Sequence, residues 1–586
     1  MLLGPLVHTP LIPLDRCALA VVFFVACLLQ GCDASYDSGG SSSHWSRSSA
    51  GGGEWSDAGS SWNADGGAAP SDPPSTDAGK PASDDAGPVG TPPPPSAALT
   101  AQQCGVCHQA IYQQWQSSMH SHALTSPAVI VQTNADLTGP FASAPGPDPQ
   151  KFCVNCHGPT EAALVTSAAM PPPASTHWKD GITCTTCHQF DGTPEKGSGA
   201  FEGAYQGSGF QQGFVQANNE MLGAMDSPVG NSAHSSNSTG QDFTPNPNQL
   251  CANCHEVWID YDHDGIVEKG LDLALQTTWD EYKEYKTLGG DQSCVSCHMP
   301  VVPGLTRAAD SAQIPGQQYA QAPPRQIHDH SFPGVDFALD DAAQGAATLA
   351  ARTAMLQSAA TFFIDRRSVG GSNDGIGFDV FLANTGTGHN LPSGFAFARQ
   401  MWVEITVTTG GVAQPVFTSG VLQNPTDDLC DGQILLDFEN PMNKWIQGCR
   451  FVDDELVTLQ QQLVSLAGFQ ADGSDPFDPA GLTKAFAIGE ETWLQYLHGG
   501  VVARQRTFDG TQLVNLKPFE QEEFHYDVPT NVSGGLHIQA RLLFRQLPPY
   551  FVRALAAGQA KADMPQLAPL IANLPTIVMA TDQIDL

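Results

Sequence analysis

Cys104-Gly-Val-Cys107-His108 is the first of five stretches in this sequence that share the pattern Cys-x-x-Cys-His. The other four are Cys153-Val-Asn-Cys156-His157, Cys184-Thr-Thr-Cys187-His188, Cys251-Ala-Asn-Cys254-His255 and Cys294-Val-Ser-Cys297-His298. Two thiols at this spacing can bond to the two vinyl groups of one haem, and the following His then reaches the iron from the proximal side. Zinc knuckles also use Cys-x-x-Cys pairs, but they do not require His after every pair. The motifs therefore predict five covalently bound c-type haems, numbered below in motif order.

Each haem iron needs a sixth ligand, and the identity of that ligand sets the reduction potential and the reactivity. The chain has 18 His, so the supply outside the five motifs is ample. Met119, Met225 and Met299 also lie near motifs, but a Met ligand would raise the potential and no spacing singles one out.

The N-terminus is predicted to carry an export signal. Residues 17–29 are uniformly apolar, which fits the hydrophobic part of a signal peptide and is too short to span a bilayer. Leu29-Gln30-Gly31-Cys32 is similar to a bacterial lipobox, in which lipid is attached to the Cys after cleavage; the alternative is ordinary secretion with a free Cys32. We predict that residues 1–32 are a lipoprotein signal peptide with Cys32 as the lipidation site. The protein would then be exported and anchored to a membrane, facing the periplasm or the cell surface.

The composition predicts a flexible tether after the signal peptide. It also limits the classes of molecule that could be binding partners. Residues 33–98 are rich in Gly, Ser, Pro and Asp with almost no aliphatic side chains, so we expect a disordered linker. The chain has 25 Lys plus Arg against 60 Asp plus Glu, a formal charge of -35. This balance argues against nucleic acid as a partner; it suits a soluble exported protein or a basic redox partner.

The chain after the motifs changes character. Residues 340–359 are rich in Ala, Leu and Gln and predict one helix. Alternating stretches typical of strands follow at 377–382, 401–408, 524–528 and 536–544, and residues 547–557 predict a short closing helix. Cys430 and Cys449 are the cysteines left in this part, and export favours a disulfide between them.

These patterns together predict a multidomain chain. A loop-rich, mainly helical pentahaem domain would occupy residues 99–338, and residues 339–366 would form a connecting helix and strand. Residues 367–586 would form an all-β immunoglobulin-like sandwich.

A possible calcium loop lies between the fourth and fifth motifs. Asp260, Asp262 and Asp264 alternate before Gly265, as at the start of an EF-hand loop, and Glu268 follows. The expected Glu at position 271 is Leu271, so a bound Ca²⁺ and a solvated acidic turn both remain open.

Several stretches around the motifs resemble a known family. They are Cys104 to Ala123 with Tyr112, Trp115, Ser118 and His120; His157-Gly-Pro; Gly181-Ile-Thr-Cys184; Cys297-His298-Met299-Pro300; His328-Asp-His330-Ser-Phe; and Asn384 to Gly394 around His389. Over residues 100–586 the chain resembles multihaem cytochromes related to the nitrifier tetrahaem electron carriers and the hydroxylamine oxidoreductase group.

The resemblance implies one distal ligand for each haem. The candidates it suggests are His120, His177, His234, His330 and His389. His122 could replace His120 and His328 could replace His330, because the members of each pair are two residues apart.

Two classes of function follow from this resemblance. The first is an electron carrier between a membrane-associated donor and a periplasmic or extracellular acceptor, working with redox partner proteins. The second is a multihaem oxidoreductase that acts on a small nitrogen or sulfur compound at one haem with an open distal site. All five motifs keep His, so no altered motif marks a catalytic haem, and the carrier is favoured over the enzyme. No catalytic residue or substrate pocket can be named from the sequence.

Overall fold

The structure, a computed structural model, describes part of the chain. The described residues are 99–131, 156–160, 180–188, 220–223, 235–236, 247–259, 273–310, 323–366, 376–410, 414–429, 448, 453, 455–459, 463–464, 495–496, 515–528, 534–557 and 566–586. They all fall within the second of two units, Pro88–Leu586. The predicted signal peptide, Cys32 and the predicted linker lie outside the described residues.

The motif region is built from short helices. They are α1 (Ala101–Gly105), α2 (Gln109–Ser117), α3 (Cys184–His188), α4 (Pro247–Ala252), α5 (Thr278–Thr287) and α6 (Cys294–His298). Two small sheets accompany them: β1 (Glu220–Met221) with β2 (Ser235–Ser236), and β3 (Val257–Ile259) with β4 (Leu273–Gln276). Helices α3 and α6 each consist of one motif. Ser293 caps α6 by accepting from the backbone of Ser296, which fixes the start of the fifth motif.

The remaining elements form a helix followed by strands. They are α7 (Ala342–Ser358), β5 (Thr361–Arg366), β6 (Ile376–Ala383), β7 (Gln400–Thr409), β8 (Phe417–Ser419), β9 (Val457–Leu459), β10 (Leu463–Val464), β11 (Gln495–Tyr496), β12 (Gln521–Val528), β13 (Leu536–Arg545), α8 (Pro549–Ala557) and β14 (Ile577–Asp585). Short 3₁₀ turns lie at Ala396–Ala398 and Ala568–Asn573. The four predicted strands correspond to β6, β7, β12 and β13.

Two antiparallel sheets pack face to face. One has the order β12-β6-β5, and the other has the order β14-β13-β7-β8 with β9 also paired to β7. Alternate residues of each strand point into one shared core, for example Phe378 from β6, Met401 from β7 and Phe524 from β12, all fully buried. We call this region of two antiparallel sheets the sandwich; that it is an immunoglobulin-like β-sandwich stays a prediction.

The outer face of the larger sheet buries an arginine. Arg545 is fully buried, its Nε donates to Oε1 of Gln400 at 2.9 Å, and its Nη1 donates to the carbonyls of Pro425 and Asp427. The guanidinium lies 5.6 Å from the ring centroid of Trp402. Burial lowers the pKa of Arg545 to about 10, so the side chain stays charged at neutral pH.

Side-chain hydrogen bonds join the sandwich to the motif region. Both Nη atoms of Arg399 donate to the carboxylate of Asp336, at 2.8 and 2.7 Å. Gln344 at the start of α7 donates to the carbonyl of Ser117 at the end of α2, at 2.6 Å. These contacts fix where the loops of the sandwich lie against the motifs. Within the part of the chain that the structure describes, no helix is both long and apolar enough to cross a membrane.

Two phenylalanines on opposite faces of the smaller sheet test this core. Phe378 is fully buried and stacks on Tyr526 at 5.3 Å, whereas Phe363 is 41% exposed. We expect Phe378→Ala to lower the free energy of unfolding of the sandwich by about 3–5 kcal/mol, because the truncation leaves a cavity. Phe363→Ala, the matched control, should cost well under half of that. Hydrogen exchange of the strand amides measures both, and equal losses would contradict the assigned core.

Candidate haem-binding site

The cysteines of different motifs lie against one another. The Cys104 side chain lies close to that of Cys184, and the Cys251 side chain lies close to that of Cys294. The sulfur of Cys156 is 3.9 Å from the carbonyl oxygen of Asn253, and the sulfur of Cys254 is 3.9 Å from the carbonyl oxygen of Cys156. Motif 1 is therefore next to motif 3, and motif 4 is next to both motif 2 and motif 5. Cys153 of the second motif lies outside the described residues.

The motif histidines are held in one tautomer. In four of them a backbone carbonyl accepts from Nδ1: Ala308 for His108 (2.9 Å), Ala123 for His157 (3.2 Å), Leu222 for His188 (2.7 Å) and Pro333 for His298 (2.7 Å). A proton on Nδ1 leaves the lone pair of Nε2 available to a metal. The motif histidines are thus prepared to bind iron through Nε2.

His255 of the fourth motif uses a side chain instead of a carbonyl. The amide nitrogen of Gln276 lies 3.0 Å from Nδ1 of His255. A half turn of the Gln276 amide group exchanges its oxygen and nitrogen. With Oε1 of Gln276 facing His255, Nδ1 of His255 donates a hydrogen bond to it and Nε2 of His255 stays free.

Two motif histidines face a second imidazole. The ring centroids of His188 and His330 are 6.4 Å apart with 21° between the ring planes, and those of His298 and His389 are 6.4 Å apart with 18°. Two metal–imidazole bonds of about 2 Å and the two ring radii require centroids about 6 Å apart. Each pair therefore fits one iron atom between its rings.

The second imidazole of each pair, like the motif imidazole, is oriented by a hydrogen bond from Nδ1 to a backbone carbonyl. Nδ1 of His330 donates to the carbonyl of His328 at 2.8 Å, and Nδ1 of His389 donates to the carbonyl of Asn390 at 2.8 Å. The backbone nitrogen of His330 also donates to Oε1 of Gln114 on α2, at 3.1 Å. The arrangement brings imidazoles from distant parts of the sequence to the third and fifth motifs.

In each of the two His pairs that the sequence leaves ambiguous, the two members have different surroundings in the structure. His120 packs on Phe332 with ring centroids 4.4 Å apart, and it lies near His255. Nδ1 of His122 is instead 2.9 Å from the carbonyl of Ser118. Nδ1 of His328 is 2.5 Å from the carbonyl of Met299, and its neighbour His330 faces His188.

Burial keeps these imidazoles neutral. It lowers the pKa of His120 to about 3 and those of His255 and His330 to about 4. Burial also lowers the pKa values of His157, His188, His298 and His389. A neutral imidazole has the lone pair that iron requires, so this environment favours ligation over protonation at neutral pH.

Gly181 allows a close approach that fixes His120. It has φ of +55°, and a Cβ at this position would lie 2.4 Å from the carbonyl oxygen of His120. That carbonyl accepts from the backbone nitrogen of Ile182 at 2.9 Å, and the indole of Trp115 donates to the carbonyl of Ile182 at 2.8 Å. The segment before the third motif thus packs directly on the segment that carries His120.

We expect Gly181→Ala to displace His120. The left-handed backbone costs a non-glycine residue about 1–2 kcal/mol, and the clash with the His120 carbonyl adds to that cost. Gly304→Ala is the matched control, because Gly304 has φ of +81° and nothing within 4 Å of its added Cβ. Thermal unfolding and the visible spectrum of the holoprotein should change more in Gly181→Ala. Equal changes in both variants would mean that the contact does not matter.

Several predicted site residues lie outside the described residues. They are the distal candidates His177 and His234, the calcium candidates Asp260, Asp262, Asp264 and Glu268, and the disulfide candidates Cys430 and Cys449. These assignments stay predictions.

The sequence did not single out a group on the outer face of the smaller sheet. Asp379, Glu523 and His525 have ligand atoms within 4.8 Å of one another, and Nδ1 of His525 lies 2.6 Å from Oδ1 of Asp379. This imidazole is thus engaged with a carboxylate on the sandwich.

Repeated Cys-x-x-Cys-His motifs with tautomer-fixed, paired imidazoles define the class of multihaem c-type cytochromes. Residues 103–189, which contain the first three motifs, match the family described as cytochrome c554 and c-prime. The match supports the assignment of c-type haem attachment to the motifs within these residues. A penta-heme cytochrome c552 from Thermochromatium tepidum is similar in structure, with 16% identity, a TM-score of 0.47, and coverage of 84% of this chain and 100% of that chain. Among curated proteins none matches the chain significantly.

Proposed function

We propose that this protein is an electron carrier with five covalently bound c-type haems. Bound haem iron supplies the redox chemistry by changing between the ferric and ferrous states. The observation that carries the proposal is the pairing of His188 with His330 and of His298 with His389, at 6.4 Å between centroids in both cases. An imidazole on each side of an iron leaves no coordination position for a substrate, so such a site exchanges electrons without binding one.

The remaining distal ligands follow from the same arrangement. We propose His120 as the ligand of the fourth haem, because it is buried near both His255 and His298, and His298 is already paired with His389. His177 and His234 are then left for the first and second haems, as the family resemblance suggests.

The contacts between motif cysteines support an order for the haems. The nearness of Cys104 to Cys184 supports a first haem beside the third, and that of Cys251 to Cys294 supports a fourth haem beside the fifth. The contact of Cys156 with Cys254 supports a second haem beside the fourth. Cys187 of the third motif lies near Cys251 and Cys254, which supports a link between the two groups. We infer one connected set of haems through which electrons cross the protein.

The exposure of residues in the first and fifth motifs supports their haems as the points at which electrons enter and leave the protein. Val106 in the first motif is 50% exposed, and Cys297 in the fifth motif is exposed. Thr185 and Thr186 in the third motif are fully buried by contrast. Redox partner proteins would therefore dock near the first and fifth motifs.

We also propose that the protein works outside the cytoplasm. The support is the lipobox-like sequence ending at Cys32 and the Gly, Ser, Pro and Asp-rich stretch at 33–98. A lipid on Cys32 and a flexible linker would hold the haem region near a bacterial membrane while leaving it free to meet partners.

Low-temperature electron paramagnetic resonance of the oxidised protein, with haem counted by pyridine haemochrome in the same sample, tests the proposal. We expect five haems per chain, all of them low-spin. A stoichiometric high-spin signal would mean one iron with an open position, and it would replace the carrier by the oxidoreductase alternative.

A further inference from the structure

Glu281 on α5 is a buried carboxyl held entirely by neutral donors. Its side chain is enclosed, and the residue is only 7% exposed. Oε2 accepts from Oγ of Ser393 at 2.5 Å and from the backbone nitrogen of Asn390 at 3.1 Å, while Oε1 accepts from Oγ1 of Thr277 at 2.9 Å. Burial raises the pKa of Glu281, as expected for a carboxyl removed from water.

The neighbouring carboxylates of α5 behave differently. Asp280 forms an ion pair with Lys283 at 2.5 Å, and Glu284 forms one with Lys517 at 3.1 Å, where both side chains are well exposed. Such surface pairs stabilise a protein by about 1 kcal/mol or less. Burial of a carboxyl is costly unless hydrogen bonds compensate, so the contacts of Glu281 have to be well formed.

Two of the three donors to Glu281 belong to the loop that carries His389. This loop joins β6 to β7, and Asn384 fixes its other side by donating from Nδ2 to the carbonyls of His389 (2.8 Å) and Leu516 (3.0 Å). Asn390 is held at both ends: its N–H donates to Glu281, and its carbonyl accepts from Nδ1 of His389 at 2.8 Å. The carboxyl thus fixes the residue whose carbonyl sets the rotation of the imidazole.

Glu281 is itself held in place by the segment that precedes it in the chain. Oγ1 of Thr278 lies 3.0 Å from Oγ of Ser393, and Gln276 reaches both Thr278 and Nδ1 of His255. Glu281 therefore acts from a segment that also holds a ligand of the fourth haem, which leaves it little freedom to move.

We propose that Glu281 is a positioning residue that fixes the His389 imidazole against the iron of the fifth haem. The inference rests on the proposed function, because it requires His389 to be an iron ligand. Its consequence is a stronger and uniquely oriented iron–imidazole bond, since partners that orient a metal ligand typically raise its affinity about 10–100-fold.

Carbon monoxide is the probe, because it binds ferrous haem only where a distal imidazole gives way. In the full-length holoprotein we expect Glu281→Ala to bind carbon monoxide at one haem per chain with about 10–100-fold higher apparent affinity than the parent. The low-spin g values and the midpoint potential of the same haem should shift. Glu281→Gln should stay close to the parent, because its amide oxygen can accept from Ser393 and Asn390 and Thr277 can turn to accept from its NH₂ group.

Glu284→Ala is the matched control, since it removes a carboxylate from the same helix without touching the His389 loop. Unchanged carbon monoxide affinity and g values in Glu281→Ala would overturn the inference, and so would a Glu284→Ala variant that changes both equally. His389→Ala distinguishes this failure from failure of the proposed function. If His389→Ala creates one high-spin haem and Glu281→Ala does not alter that haem, only the positioning role is wrong; if His389→Ala alters no haem, the assigned ligation is wrong as well.

Discussion

Replacement of His330 by Ala is expected to convert one haem in five from low-spin to high-spin. His330 faces His188 at 6.4 Å between ring centroids, which puts it on the opposite side of an iron bound to His188. Removal of the side chain leaves the third haem with a single protein ligand and opens one side of its iron. Electron paramagnetic resonance should then show a high-spin signal equal to one fifth of the total haem, and carbon monoxide should bind at that haem.

His328→Ala is the control for this variant. His328 is two residues away and also donates from Nδ1 to a backbone carbonyl, that of Met299, but it is the ring of His330 that faces His188. The control should keep every haem low-spin. A high-spin signal in His328→Ala with none in His330→Ala would reverse the assignment of the two residues.

Removal of the third haem attachment is expected to have the largest effect on folding. In α3, Thr185 and Thr186 are fully buried, and both lie 3.4 Å from the hydroxyl of Thr160. The double variant Cys184→Ala/Cys187→Ala would remove both attachment points of the third haem, which is expected to lie against these buried segments. Truncation of one large aromatic side chain in a core costs about 3–5 kcal/mol, so the loss of a whole macrocycle should exceed about 5 kcal/mol. We expect rapid proteolysis of the motif region and fewer than four haems per chain.

Removal of the fifth haem attachment is the control for this prediction. Helix α6 has no buried residue and Cys297 is exposed, so Cys294→Ala/Cys297→Ala removes a haem at the surface. This variant should retain four haems and lose much less protease resistance than the variant without the third haem attachment. Haem counting by pyridine haemochrome and limited proteolysis distinguish the two. If both variants keep four haems and resist protease equally, the third haem does not form part of the core.

The features that could be predicted from sequence are those with local causes. A motif places two thiols and an imidazole within one helical turn, so α3 and α6 coincide with their motifs. Strands β7 and β13 were predictable because alternate side chains meet one apolar core, which imposes a period of two on the sequence.

The identity of the distal ligands does not follow from the local sequence in this way. His120 and His122 lie in consecutive turns, where side-chain direction follows no simple period. The choice between them depends on tertiary contacts such as the packing of Gly181 on the His120 carbonyl and of Phe332 on the His120 ring. Glu281 could not be found at all, because in the sequence it is one of several carboxylates on a polar helix. Its burial results from the loop around Asn390, which comes far later in the chain.

The two imidazoles assigned to the fifth haem belong to different parts of the fold: His298 ends a motif helix, and His389 projects from the loop between β6 and β7 of the sandwich. On the proposed ligation, the iron is a cross-link between them that forms only when both parts are folded. By mutual linkage, any free energy that the sandwich contributes to holding His389 is returned as stability of the sandwich. Reduction of the iron, which changes the strength of its axial bonds, would then alter the thermal stability of strands that contain no cofactor.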